Sequence, residues 1–142
     1  MIDLGVLGGT AGIIAYAINN NGDVVGQSRT SLRFPGGGCC KIHAFRWTHG
    51  EGMQDLGVLG GDFSGARAIN ADGVIVGLPD TSSGDTHGAV WSNGTIADLG
   101  TLEGGGLFSD AEGINDQGVV AGGSCTANCA ALHAVLWTLT GS

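Results

Sequence analysis

The chain has 142 residues, of which 29 are glycine and only two proline, and five Lys and Arg face thirteen Asp and Glu for a formal net charge of -8. This composition suits one domain with many tight turns, and it argues against long helices, Pro-rich linkers and attraction to a phosphate backbone or an anionic lipid face. The longest apolar stretch, residues 13–18, is far too short for a membrane span, so neither a bilayer nor nucleic acid is an expected partner.

In chain order, residues 1–7 hold the first of three Asp-Leu-Gly-x-Leu segments, which begin at Asp3, Asp55 and Asp98. This first copy reads as a lone strand bearing Ile2, Leu4 and Val6, without the basic and apolar regions of a secretory signal. Ile14, Tyr16 and Ile18, spaced by two, predict a strand; residues 19–22 then form an Asn-rich hairpin turn in which Gly22 supplies a positive φ. A second strand follows over 23–27. The same Ile-Asn-x-x-Gly block recurs at Ile69 and Ile114, each time followed by an apolar pair and a further glycine, so that Gly26, Gly77 and Gly122 correspond. Residues 29–42, with the run Pro35-Gly36-Gly37-Gly38, have the composition of a surface loop. A third strand is predicted over 43–48, a turn over 49–52 and a fourth strand over 53–59. His-x-x-x-Trp marks the third strand of every copy, as His43 and Trp47, His87 and Trp91, His133 and Trp137. Asn93-Gly94 is the strongest hairpin signal of the second copy, and the third copy stops at Trp137 and Thr138, before a fourth strand.

Units of roughly 45 residues built as four-stranded meanders are the signature of propeller blades. The expected fold is therefore all-β: tandem four-stranded antiparallel sheets over approximately 8–59, 60–102 and 103–142, incomplete at the C-terminus, with 1–7 completing a neighbouring sheet. All belong to a single repeat domain. An open β-solenoid is the alternative. Trp47, Trp91 and Trp137 are the natural fillers between blades, and His43, His87 and His133 the residues that fix the edge of each third strand.

The same histidines could converge on a metal only if the copies packed about an axis, and a hydrogen-bonding role is preferred. The turns at 19–23, 70–73 and 115–118 offer too few carboxylates for calcium. The glycine runs at 36–38 and 104–106 lack the context of a phosphate cradle, and no nucleophile stands beside a base. Neither an enzymatic activity nor a cofactor is expected. The cysteines are not repeated: Cys39 and Cys40 lie in the loop before the third strand of the first copy, Cys125 and Cys129 in the equivalent loop of the third. Two schemes stay open, a link between these loops across two chains and a local Cys125 to Cys129 bridge with Cys39 and Cys40 free or paired. Four cysteines in so lightly charged a chain favour an oxidising compartment.

The block His43-Ala44-Phe45-Arg46-Trp47, followed by Met53-Gln54-Asp55-Leu56-Gly57, resembles the HAF repeat family of bacterial extracellular proteins. The likeness covers essentially the whole chain, although the His-Ala-Phe triplet itself becomes His87-Gly88-Ala89 and His133-Ala134-Val135 in the later copies. It implies a secreted or surface location and a repetitive β fold, and it brings no catalytic residues. With one strand in excess at the start and one lacking at the end, the expected role is a structural protein that assembles with itself by strand donation. A filament or surface layer would result. The alternatives are a carbohydrate- or peptide-binding propeller module and a fragment of a longer repeat protein.

Overall fold

A computed structural model of the protein describes residues 1–8, 12–102 and 106–139. The first unit is a meander of β1 (Ile14–Ile18), β2 (Val24–Arg29), β3 (Ile42–Thr48) and β4 (Gly52–Asp55), each strand antiparallel to the one before. The second repeats it with β5 (Gly60–Ile69), β6 (Ile75–Thr81), β7 (Gly88–Ser92) and β8 (Thr95–Gly100). The third comprises β9 (Ser109–Ile114), β10 (Val119–Cys125) and β11 (Leu132–Thr138). A single parallel residue pair, Ile42 with Phe63, joins the first two units into one eight-stranded sheet. The protein is thus all-β, an open and incomplete blade-like arrangement with no closed barrel among the described residues.

The repeated blocks have local physical causes. In each first turn an Asn side chain folds back on the backbone: Asn19 Oδ1 accepts from the N–H groups of Asn21 and Asp23, Asn70 Oδ1 from Asp72 and Val74, and Asn115 Oδ1 from Gln117 and Val119. Gly22, Gly73 and Gly118 close these turns at φ of 84, 81 and 77. Beyond each turn, the pairing of the first two strands slips at a bulge, between Ala15 and Ala17, Ala66 and Ala68, and Ala121 and Gly122. There a Cβ on Gly26, Gly77 or Gly122 would collide with the carbonyl oxygen of Ile14, Gly65 or Asp110, so only glycine fits. At Asn93 and Gly94 both φ values are positive, 52 and 78, as a tight hairpin of this type requires.

The core lies between units rather than within them. Val25 and Ala44 of the first unit pack with Ala66, Ile69, Ile75 and Trp91 of the second, flanked by Ala17, Leu56 and Ile96. Val76 and Val90 of the second unit pack with Ala111 and Val120 of the third, and Trp137 lies against that cluster. One sheet cannot bury both of its faces alone, so each unit depends on its neighbours.

Residues 1–6 pair with no strand among the described residues: Ile2 and Val6 are exposed, and pairing begins only where Leu7 and Gly8 bridge Thr30. Two expectations need correction. The fourth strand of the first unit ends at Asp55 instead of 59, because Asp55 Oδ1 accepts the N–H of Gly57, whose φ of 77 turns the chain away. The cysteines close locally, Cys39 with Cys40 and Cys125 with Cys129, leaving no free thiol for a link between the two loops. A short 3-10 turn over Ala127–Cys129, with Asn128 and Cys129 at positive φ, brings the Cα atoms of Cys125 and Cys129 to 4.6 Å.

Candidate functional site

Each complete unit carries a His–Asp clip. The imidazole of His43, on β3, donates from Nδ1 to Asp55 at the end of β4, 2.8 Å from Oδ2, and His87, just before β7, donates likewise to Asp98 on β8 at 2.7 Å. A carboxylate only accepts, so Nδ1 carries the proton in both clips. The same carboxylate also accepts the N–H of the glycine two residues on, Gly57 at 2.8 Å and Gly100 at 2.7 Å. One side chain therefore fixes the outer strand to its neighbour and starts the turn that leaves it. Burial pushes the Asp55 carboxyl up, but the His43 hydrogen bond, the Gly57 N–H and the His43 charge outweigh it and hold the group below the ordinary carboxylate range. The far ring nitrogen, Nε2, of His43 and of His87 is buried and has no hydrogen-bond partner among the described residues.

Between units a second set of contacts recurs. Ser64 Oγ accepts the Ala44 N–H at 2.7 Å and donates to the Gly57 carbonyl at 2.6 Å, and Ser109 Oγ does the same for Gly88 and Gly100 at 2.8 and 2.7 Å. Both serines are fully buried. The Asn turns are laced together as rungs: Asn19 Nδ2 donates to the Asn70 carbonyl at 3.1 Å and Asn70 Nδ2 to the Asn115 carbonyl at 3.2 Å. Trp91 Nε1 donates to the Leu56 carbonyl at 3.0 Å, tying the third strand of the second unit to the outer turn of the first. The guanidinium of Arg67 sits 4.2 Å over the Tyr16 ring and 3.8 Å from the Glu112 carboxylate, so one residue from each first strand joins a row.

At the two ends these contacts are open. His133 and Ala134 are exposed on β11, as are Leu132 and Leu136, and among the described residues no strand pairs with the outer edge of β11. At the other end Asp3 Oδ1 already accepts the Gly5 N–H at 2.9 Å, with Gly5 at φ 86, so the turn seen at Asp55 and Asp98 is formed without a histidine. Leu7 donates to Ser28 Oγ at 3.2 Å as Leu102 donates to Ser124 Oγ at 2.8 Å, and the corresponding position of the second unit is Pro79. Residues 3–7 thus repeat the turn that follows β4 and β8.

Among the sequence-selected residues, His43 and His87 are drawn onto carboxylates and His133 is not, Trp91 and Trp137 enter the two core clusters, and Trp47 lies half-buried beside His49. Ile2, Leu4 and Val6 pair with no strand among the described residues. Among the described residues no group of His, Cys, Asp or Glu is arranged to hold a metal ion, and no helix is long and apolar enough to cross a membrane. Sequence reasoning missed the serine clasps and the Asn rungs. Ser64 and Ser109 stand at the same offset before Ile69 and Ile114, and overlaying the copies exposes that match. No protein-family model, curated protein or solved structure matches this chain.

Proposed function

We propose that this is a non-enzymatic structural protein of an extracellular or cell-surface setting, which polymerises head to tail by donating its first segment to the last sheet of another copy. The observation that carries the reading is the edge of β11, unpaired among the described residues, set against the edges of β3 and β7, which β4 and β8 cover. The segment that repeats the motif of those covering strands is residues 1–7, unpaired through Val6 and with its exit turn formed. An edge of free N–H and C=O groups is a template for another chain, and a contact between unlike ends propagates without limit. The two cysteine pairs at bonding distance favour an oxidising compartment, and the likeness of residues 43–47 and 53–57 to HAF repeats favours the same location.

The rival reading, a carbohydrate- or peptide-binding module, rests on a cleft of about 240 Å³ lined by Arg46, Gln54, Trp91 and Asn93. That volume is below the ~300–1,000 Å³ of ordinary ligand pockets, and Trp91 is only 5% exposed, so no aromatic platform faces the solvent there. Sedimentation velocity of the full chain and of a form lacking residues 1–7 tests the assembly. The full chain should form concentration-dependent polymers and the shortened chain should remain monomeric. A full chain that stays a compact monomer at micromolar concentration overturns strand donation, and one that stops at two chains replaces the filament with a closed ring.

A further inference from the structure

We infer that the carboxylate of Asp3 seats on the imidazole of His133 in a second copy, completing across the junction the third His–Asp clip of the series. The inference rests on the strand-donation reading and supplies its register and specificity.

The register follows from the two clips already made. In the first unit Asp55 lies opposite Phe45, Gln54 opposite Arg46 and Met53 opposite Trp47. In the second, Asp98 lies opposite Ala89, Ala97 opposite Val90 and Ile96 opposite Trp91. The third strands align as His43-Ala44-Phe45, His87-Gly88-Ala89 and His133-Ala134-Val135, and the motif aspartates as Asp55, Asp98 and Asp3. Docked in that common register, Asp3 of one copy faces Val135 of another, Ile2 faces Leu136 and Met1 faces Trp137. The Leu4 N–H then meets the Ala134 carbonyl, as the Leu56 N–H meets the Ala44 carbonyl at 2.9 Å. The carboxylate comes to the Nδ1 side of His133, where Asp55 and Asp98 come to their histidines.

Both partners are ready for this contact. Asp3 is held in the clip geometry by the Gly5 N–H, so little order remains to be imposed on it, and His133 is exposed on an open edge with no acceptor among the described residues. A slip of one residue would turn Asp3 to the opposite face of the strand and leave His133 without its acceptor. The clip therefore selects one register from a short strand whose apolar residues, Ile2, Leu4 and Val6, tolerate several.

The test uses the full-length chain in three forms, Asp3→Ala, His133→Ala and the two together, with the association constant read by sedimentation. Each single change should weaken association roughly tenfold or more, as loss of a charge-assisted hydrogen bond does, and the double change should be no weaker than the worse single one. Two independent, additive losses, or no loss from Asp3→Ala, overturn the clip; if removal of residues 1–7 still abolishes assembly, donation stands without it. The register has its own measurement that leaves both partners intact. The pair Ile2→Cys and Leu136→Cys should give a ladder of cross-linked chains that collapses on reduction, since every native cysteine is already paired. Cross-linking from Val6→Cys with Leu136→Cys in its place overturns the assigned register.

Discussion

At the end of β4 one carboxylate holds two neighbours, the His43 imidazole and the Gly57 N–H, and its affinity for a proton records that work. Burial raises the pKa of Asp55 and its hydrogen bonds and the His43 charge lower it further, so the folded value lies below the unfolded one. A carboxyl depressed by folding adds stability that is complete above its unfolded pKa of about 4 and is lost as pH falls through its native value. Glu112 has the opposite sign: burial first, and then the charge of Asp110, raise it against the pull of Arg67, so its contribution is present in acid and disappears as pH rises through its native value. Asp55→Asn separates the two effects, because the amide oxygen still accepts the Gly57 N–H but carries no charge. The variant should melt below the parent at neutral pH, modestly, since the Asp55 side chain is 41% exposed and solvent screens it. The gap should close below about pH 4. Thermal melts between pH 7 and 2 measure this, and a gap independent of pH removes Asp55 from the acid response.

Among the elements, the first two strands of each unit depend on a glycine that sequence periodicity marks but does not explain. Gly77 lies across from the bulge in β5, where an added Cβ would strike the Gly65 carbonyl, and the chain can relieve that only by moving a paired backbone. Gly77→Ala should therefore cost about 1–3 kcal/mol, as overpacking a filled site does, while Gly50→Ala, with open space around it, should stay within about 0.5 kcal/mol of the parent. Urea midpoints of the two variants decide it; equal midpoints would show that the bulge adapts. The hairpins were legible in the sequence because Asn-x-x-Gly and Asn93-Gly94 encode their turns locally. The end of β4 was not, because Leu-Gly-Val-Leu continues an apolar pattern through a turn made by the Asp55 side chain. Nor were the serine clasps, since a buried hydroxyl in a strand carries no periodic signal and its partners lie in another unit. The cysteine pairing required the backbone of 125–129, which no spacing rule supplies.

For the whole molecule, the internal junctions and the proposed junction between chains share most of their parts but differ at one residue. A second copy docked by its first segment can offer the Asn19 carbonyl to the Asn115 side chain, as Asn70 and Asn115 offer theirs within the chain. It cannot offer the serine clasp. Where Ser64 and Ser109 stand in the later units, the first unit has Ile13, which is half-buried and has no hydroxyl. The Ala134 N–H of one chain and the Gly5 carbonyl of the next then lack the bridge that joins Ala44 to Gly57 and Gly88 to Gly100. Each such hydrogen bond is worth about 0.5–1.5 kcal/mol net, so junctions within a chain hold more tightly than junctions between chains, and an assembly comes apart into folded copies before those copies unfold. Ile13→Ser should reverse part of that difference and tighten association several-fold. Ile13→Ala, which removes the same apolar contact without adding a hydroxyl, should leave association unchanged or weaken it. Sedimentation of the two variants beside the parent gives the order directly. If serine weakens association as much as alanine does, residue 13 does not lie at the junction, and the docking of one chain on the next is not a continuation of the repeat.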